Sequence, residues 1–275
     1  RGRVFVGLAN GDTGGQGRII ALDADTGEPQ WTFFIVPRPG EFGHDTWPQD
    51  SNSWELGGGG VWLVGTVDPD LGLVYFSTGN PAPMFGGEIR AGDNLFTASV
   101  LALDIETGER RWHYQVVRHD VWDADIATPL LLYDHDTGAA APRKALAAMR
   151  ADGLLFLFDR ETGELLLGTP FTDTTWAREI GQDGRPIILN DGSQGCLPDY
   201  WGGTNFMPPS FDPARGLFFV TARETCATFI PEKPEIAPGR RSSGGTVWVD
   251  SDQGYGALRA IDVFTGERRW EFRYP

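Results

Sequence analysis

Three carboxylates, a histidine and an indole lie within seven consecutive residues, from His119 to Asp125. Neither a helix start nor a hairpin turn requires such a cluster. In an extended segment the side chains of residues i and i+2 point to the same side, so Asp123 and Asp125 can address one ion. Carboxylate and amide oxygens are the donors that hard cations prefer. The cluster therefore indicates a site for acid–base or metal chemistry, with a solvated polar loop as the alternative.

Two segments farther upstream carry residues that complement this cluster. One is Thr78-Gly79-Asn80-Pro81, and the other is a run of four glycines, Gly57–Gly60, that leads to Trp62. A flat aromatic ligand needs an aromatic floor, and glycines let backbone approach such a ligand closely. The alternatives are a core role for Trp62 and a turn role for Asn80 before Pro81. We predict that the three segments meet around one metal ion and one flat cofactor.

Composition and charge narrow the class of protein. The 275 residues are 40% hydrophobic and 12% aromatic and include 37 Gly and 19 Pro, which favours a globular chain rich in turns and strands. The net charge of -15 and the lack of a basic stripe disfavour nucleic acid and anionic membranes as partners. No run approaches the ~18 apolar residues that span a bilayer. The chain opens on a strand-like pattern, without a signal peptide or initiator Met, so we expect an internal piece of a longer polypeptide.

A degenerate repeat gives the architecture. The segments Ala21–Trp31, Ala102–Trp112 and Ala260–Trp270 share the pattern Ala-x-Asp-x-x-Thr-Gly-Glu-x-x-Trp, and Leu157–Leu167 is a fourth copy that ends in Leu. In each, an apolar strand ends at an Asp that can cap the turn, and the Gly supplies a positive φ. One hairpin cannot bury a Trp alone, whereas stacked hairpins can.

A second repeat completes the module. Asp68–Phe76 and Asp212–Val220 share a turn followed by a buried type of strand. The whole unit is the four-stranded antiparallel blade of a β-propeller, which makes the fold class all-β. We expect about four blades, with insertions at 168–199 and 227–256, and a strand at 142–151 despite its helical propensity. Residues 1–275 then form a single partial propeller domain, truncated at both ends, whose remaining blades would cover the open edges.

The motifs together resemble the pyrroloquinoline quinone (PQQ)-dependent alcohol dehydrogenases, which are eight-bladed quinoprotein propellers. The resemblance covers nearly the whole chain. It rests on the glycine run ending at Trp62 and on the segments Thr78–Pro83, Arg90–Leu95, Trp112–Asp123 and Gly202–Pro208. It implies a PQQ-dependent enzyme that oxidises a primary alcohol, sugar or polyol.

The resemblance also implies roles for individual residues. Asp123 would be the catalytic base. The metal ligands would be Asp12, Asn80, Asp123 and Asp125, and the cofactor contacts would be Trp62, Asn205 and Arg150. Three carboxylates among the ligands suit a trivalent ion, so a lanthanide is slightly favoured over Ca²⁺.

Two positions depart from the family pattern. Asp12 stands where the family has Glu, so its strand must come closer to the metal by about one methylene. Ala151 stands where the family has an Arg or Lys that reaches the quinone, with Arg150 next to it. Either a local bulge brings Arg150 to the quinone, or this cation is missing and a decayed family member has to be considered.

Cys196 and Cys226 are the two cysteines, thirty residues apart. Their count leaves a disulfide and two buried thiols equally open, and the resemblance implies a structural disulfide. It further implies a periplasmic protein that passes electrons to a cytochrome c or to membrane quinone. The alternative function is a non-catalytic propeller of the same repeats that serves as a periplasmic or outer-membrane assembly scaffold.

Overall fold

The computed structural model describes residues 2–135, 142–188, 196–235, 237–241 and 243–274. The chain divides into two compact units, Arg1–Ile126 with Ile230–Thr246 and Ala127–Phe229 with Val247–Pro275. No helix in the described residues has the length and apolar character needed to cross a membrane.

The first unit contains one three-stranded and one four-stranded antiparallel sheet. The strands of the first sheet are β1 (Arg3–Leu8), β2 (Arg18–Asp23) and β3 (Pro29–Phe34). Those of the second are β4 (Thr66–Asp68), β5 (Leu73–Ser77), β6 (Ser99–Asp104) and β7 (Arg110–Gln115). Single 3₁₀ turns occur at Gly11–Thr13, His44–Thr46, Ser53–Leu56 and Gly87–Ile89.

The second unit contains most of two four-stranded sheets and a small hairpin. The first sheet has β8 (Leu131–His135), β9 (Arg143–Met149), β10 (Leu154–Asp159) and β11 (Leu165–Pro170). The hairpin is β12 (Ala177–Ile180) with β13 (Pro186–Ile188). The second sheet has β14 (Ser210–Asp212), β15 (Leu217–Pro231), β16 (Gly245–Asp262) and β17 (Arg268–Arg273).

The Asp-x-x-Thr-Gly repeat forms the last hairpin of each blade, between β2 and β3 in the three-stranded sheet and between the third and fourth strands in the four-stranded sheets. In the first hairpin, Asp23 Oδ1 accepts hydrogen bonds from the backbone N–H groups of Asp25 and Thr26, at 3.0 and 2.9 Å. The same pair of bonds is present at Asp104, Asp159 and Asp262. These bonds lower the pKa of Asp23 because they stabilise its charged form. The cap therefore depends on local sequence alone.

The tryptophan of the repeat docks onto the hairpin of the next blade. In the first unit, the Trp31 indole donates to Ile105 O at 3.1 Å, and a Cβ on Gly108 would lie 2.6 Å from the ring. Gly108 is thus required by contact as well as by its φ of 73°. In the second unit, the side chains of Thr169 and Leu167 lie against Gly266, and a Cβ there would be 3.1 Å from Leu167 Cδ2. The predicted docking of the tryptophan is confirmed at Trp31.

Each unit has its own apolar core. The first is built around Ile19, Val74, Phe76 and Leu101, and the second around Leu155, Leu157 and Phe218.

The predicted all-β class and the four modules are confirmed. The strand expected at 142–151 is observed as β9, because its alanines are buried within the sheet and burial overrides helical propensity. The insertion expected at 227–256 is largely strand, since β15 and β16 extend into it.

Candidate active site

The glycine run of the first unit brings two loops together. A Cβ on Gly17 would clash with Gly59 O, and one on Gly58 would lie 2.6 Å from Ala82 N. Gly17 N donates to Gly58 O at 2.8 Å, and Gly59 N donates to Asn80 O at 2.9 Å. The loop that carries Asp12 and the loop that carries Asn80 are therefore both hydrogen-bonded to the same glycine segment. From the sequence, we expected the glycine run to let the backbone approach a flat ligand. In the structure, these glycines let two other backbone segments approach the run.

Asp12 and Asn80 are neighbours as a result. The Asn80 side-chain amide donates to Asp12 Oδ1 at 3.3 Å and to Pro81 O at 2.9 Å. These two bonds use its donor hydrogens and leave its oxygen as the atom suited to a cation. Asp12 is shorter than the Glu of the family, and the glycine contacts bring its loop close enough to reach Asn80.

Trp62 and Asp125 form the second contact of the site. The Trp62 indole N–H donates to Asp125 Oδ2 at 2.9 Å, although the two residues are 63 positions apart. A Cβ on Gly79 would lie 3.3 Å from both Asp125 Oδ1 and the indole nitrogen. Asp125 thus contacts the edge of the indole, while 36% of the Trp62 surface stays exposed.

Asp123 lies in a tightly held loop between β7 and β8. Its φ is 63°, in the left-handed region that non-glycine residues seldom adopt. Asp120 brackets it, since its Oδ1 accepts from Trp122 N and its Oδ2 accepts from Ala124 N, both at 2.9 Å. His119 also has a positive φ, and its Nδ1 lies 2.9 Å from Gly92 O. His119 and Asp120 therefore support the loop.

The carboxylates of this site repel one another. Burial, followed by the charges of Asp125, Asp120 and Asp12, raises the pKa of Asp123 well above its ordinary value. Burial and the charges of Asp120 and Asp12 raise the pKa of Asp125 to about 8, against hydrogen bonds from Trp62 and from Asn80 N–H. Without a cation, both shifts favour the protonated carboxyl, and Asp125 is held mainly protonated near neutral pH.

The residues present fit a hard cation. All the candidate donors are oxygen atoms, and Asp125 Oδ1 is buried without a hydrogen-bond partner among the described residues. Nowhere in the described ranges do three His, Cys, Asp or Glu side chains stand close enough together to enclose an ion by themselves. The candidate oxygen donors lie in neighbouring loops, but they do not surround a common point at which an ion would be bound.

A cation that the sequence did not indicate lies beside this site. Arg241, from the segment Ile230–Thr246, lies 3.8 Å from Asp12 Oδ2 and lowers the pKa of Asp123 by its charge. Gly239 N donates to Thr13 O at 2.8 Å, which ties this segment to the Asp12 loop. No motif marks Arg241, so only its position in the fold reveals it.

Arg150 and Ala151 lie in the second unit, in the turn between β9 and β10. Arg150 is fully buried, and its guanidinium pairs with Asp152 at 2.6 Å. Ala151 is buried against Gly202 and accepts a bond from Gly203 N through its carbonyl. The turn begins directly after Met149, so Arg150 is not on a regular strand. Among the described residues, the Arg150 side chain has no exposed surface.

Asn205 also belongs to the second unit. Its amide donates to Trp201 O at 2.8 Å, and its oxygen accepts from Phe206 N at 2.9 Å. With Trp201, Phe206 and Tyr274 it lines a pocket of about 830 Å³. Trp201 and Phe206 are 54% and 66% exposed, so this pocket is apolar and open. Asn205 is thus available to a ligand in that pocket.

Cys196 and Cys226 form a disulfide, with their Cα atoms 4.5 Å apart. Two further bonds hold the same region, because Ala227 N donates to Cys196 O and Cys196 N donates to Thr175 Oγ1. The bridge implied by the family resemblance is present.

Known proteins match the chain along most of its length. The quinoprotein alcohol dehydrogenase PedH of Pseudomonas putida is 32% identical over 99% of this chain and 50% of its own length. The quinohemoprotein alcohol dehydrogenase of Comamonas testosteroni is 34% identical over 100% of this chain and 43% of its own. The chain thus spans about half the length of these curated relatives.

The fold comparison agrees with the sequence comparison. The structure of a europium-containing methanol dehydrogenase superposes with a TM-score of 0.91 and 29% identity, over 99% of this chain and 52% of that one. The profile of the PQQ glucose/ethanol/alcohol dehydrogenase β-propeller domain matches residues 3–175. The chain therefore belongs to the PQQ-dependent alcohol dehydrogenase β-propeller family.

Proposed function

We propose that the full-length protein containing this chain oxidises a primary alcohol, or a sugar or polyol, to the aldehyde or ketone with PQQ and one metal ion. One observation carries the proposal: in the first unit Asp12 contacts Asn80, Asp125 contacts Trp62, and Asp123 lies within the field of the same carboxylates. Membership in the family supports PQQ as the cofactor, and the oxygen donors support a bound metal ion.

The metal ligands in this proposal are Asp12, Asn80, Asp123 and Asp125. When bound, the quinone supplies a two-electron acceptor and the metal ion polarises it as a Lewis acid. Three carboxylates favour a trivalent ion, and we assign a lanthanide slightly ahead of Ca²⁺. The likeness to a europium-containing methanol dehydrogenase supports this order.

Asp123 acts as the general base in the proposal. It would take the hydroxyl proton of the alcohol as hydride leaves the carbon, and it can do so only while ionised. In the cation-free protein its pKa is raised by burial and by Asp125. A cation held by the neighbouring ligands would reverse this repulsion and keep Asp123 ionised.

Trp62 supplies the aromatic floor for the quinone. Its hydrogen bond to Asp125 fixes the edge of the indole and leaves part of the ring open to a flat ligand. Stacking of aromatic rings adds on the order of 1 kcal/mol beyond burial. Asn205 is proposed as a further contact, whereas the buried ion pair of Arg150 argues against a direct role for that side chain.

The electron acceptor is proposed to be a cytochrome c or membrane quinone, and the location the periplasm. The disulfide supports an oxidising compartment. We further propose that the remaining blades of the same polypeptide complete the site, because the chain spans about half of its relatives.

A non-catalytic scaffold would use the same hairpin repeats. Such a scaffold gains nothing from half-buried carboxylates that repel one another, because they lower stability unless a ligand offsets them. The enzyme therefore accounts for more of the structure than the scaffold does.

The test is alcohol oxidation coupled to a dye, with the full-length protein reconstituted with PQQ and either La³⁺ or Ca²⁺. We expect activity that is higher with La³⁺ and lost in Asp123→Asn. Activity with Ca²⁺ alone that persists in Asp125→Ala would refute the lanthanide assignment. A wild-type protein that binds neither PQQ nor metal would refute the enzyme and favour the scaffold.

A further inference from the structure

We propose that Arg90 is a positioning residue, which joins the loop after Asn80 to the loop that carries Asp123 and so sets the geometry between these two residues. The inference rests on the proposed function. Arg90 itself contacts neither substrate nor cofactor in this proposal. It acts through the backbone of the two loops.

The Arg90 guanidinium makes bonds to both loops at once. Its Nε donates to Pro83 O at 3.0 Å and its NH2 donates to Met84 O at 3.1 Å, three and four residues after Asn80. The same NH2 donates to Asp120 O at 2.6 Å, three residues before Asp123. One planar group therefore spans the two segments that supply the proposed base and an amide ligand.

The other side of the guanidinium is held in place by Asn94. Arg90 NH1 donates to Asn94 Oδ1 at 2.9 Å, and Asn94 Nδ2 donates back to Arg90 O at 2.7 Å. Asn94 has a φ of 59° and is fully buried. Asn94, a residue of the same segment, thus fixes the Arg90 rotamer and orients the guanidinium towards the two loops.

Arg90 differs from the other fully buried arginines, Arg150 and Arg259, which pair with carboxylates. The side chain is 0% exposed, and its bonds in the described residues run to neutral carbonyl and amide oxygens rather than to a carboxylate. Burial lowers its pKa to about 10, and the nearby charges of Asp120 and Glu88 oppose this shift, so the group stays charged at neutral pH. Burying a charge without a directly bonded counter-ion lowers stability, so a core role alone gives no reason to keep it.

The loop that Arg90 holds needs support. Asp123 and His119 both have positive φ values, and Asp120 uses its two carboxylate oxygens to bracket Asp123. The carbonyl of Asp120 is the remaining acceptor of that residue, and Arg90 bonds to it. Release of this bond would free Asp120, whose carboxylate holds the loop on both sides of Asp123, and so change the position of the Asp123 carboxylate.

Arg90→Lys is the informative variant, because lysine keeps the charge but cannot donate to all three segments from a planar fork. The matched control is Arg259→Lys in the second unit. Arg259 is also 0% exposed, but its partners are Glu224 and Glu271, and no proposed site residue depends on it. Both variants are made in the full-length protein and compared by thermal unfolding.

Tb³⁺ luminescence excited through tryptophan reports metal binding without turnover, since Trp62 lies beside Asp125. For Arg90→Lys we expect a Tb³⁺ affinity at least tenfold weaker and a kcat at least a hundredfold lower, with KM changed less than threefold. Arg259→Lys should lose thermal stability and keep the wild-type Tb³⁺ affinity. Wild-type affinity and kcat in Arg90→Lys would overturn the inference.

The proposed function and this inference fail in different ways. If the wild type oxidises no alcohol but Arg90→Lys alone loses Tb³⁺ affinity, the function fails and the positioning role stands. If Arg90→Lys does not fold, Asn94→Gly replaces it, because glycine tolerates the positive φ of this position but removes both side-chain bonds that fix Arg90. A folded Asn94→Gly protein with wild-type Tb³⁺ affinity and kcat would then overturn the inference.

Discussion

Cation binding at the site of the first unit should release protons, and the number released is set by Asp123 and Asp125. Both carboxyls have raised pKa values in the cation-free protein, that of Asp125 reaching about 8 against an ordinary 3.8. A bound cation requires both to be ionised. Binding at a pH below these values must therefore displace their protons.

The magnitude follows from linkage. Each displaced proton raises the affinity about tenfold per pH unit, equivalent to ~1.4 kcal/mol per unit. Since the two carboxyls titrate as a coupled pair, the apparent slope of log affinity against pH should lie between about one and two. Substitution Asp125→Asn removes one titrating group and should reduce the slope by about one.

The assay is Tb³⁺ or La³⁺ titration of the full-length protein between pH 5.5 and 7.5, followed by luminescence or calorimetry in two buffers. Glu106→Gln, a surface substitution in the same unit, controls for the loss of one negative charge, since Glu106 is 67% exposed. A wild-type slope near zero would refute the electrostatic reasoning. So would an Asp125→Asn protein with the wild-type slope.

Linkage also predicts the stability of the cation-free protein. A carboxyl whose pKa is raised on folding contributes stability that is fully present below its unfolded value, here 3.8, and lost as pH rises through about 8. Thermal unfolding of the cation-free protein should therefore move to lower temperature from pH 5 to pH 8. Saturating cation should remove this trend, and a cation-free Tm that rises over the same interval would contradict it.

Three further substitutions test separate parts of the structure. Glu224→Gln leaves buried Arg259 without one of its two carboxylates and should lower the free energy of unfolding by about 3 kcal/mol in urea titrations. Loss of the Cys196–Cys226 bridge through Cys226→Ala opens a 30-residue loop and should lower the free energy of unfolding by ~3–4 kcal/mol relative to the oxidised wild type, measured without reductant. Arg241→Gln removes a competing cation near Asp12 and should tighten La³⁺ binding about threefold by calorimetry; weaker binding would contradict that reasoning.

The blade architecture was predictable because its determinants are local. An Asp and the N–H groups two and three residues later form the cap, and a Gly follows in the same turn, so the hairpin at Asp23 is specified within a few residues. The Trp31 contact with Ile105 follows once hairpins stack. For the site, the motifs at Trp62, Asn80 and Asp125 marked segments that make contacts in the fold, Asn80 with Asp12 and Trp62 with Asp125, and their roles stay predictions.

What the sequence did not predict depends on contacts between distant segments. Arg241 follows Asp12 by more than two hundred positions and carries no motif, so only folding brings the two together. The glycine run was interpreted through a ligand, whereas its close contacts are with Gly17 and Ala82. The ion pair between Arg150 and Asp152 depends on a turn that starts one residue after β9, which alternation along a strand does not anticipate.

The two units differ in how their charged side chains are paired. In the second unit, Arg259 is matched by Glu224 and Glu271, so a buried cation meets two carboxylates and the cluster holds strands together. In the first unit, carboxylates gather without a buried counter-ion, and the buried cation Arg90 bonds to carbonyls that hold the loops. A left-handed Asp123 and a buried, unsatisfied oxygen on Asp125 add to the cost of this arrangement. Because complementary charge would stabilise a purely structural cluster, the unmatched carboxylates of the first unit support the cation proposed for this site.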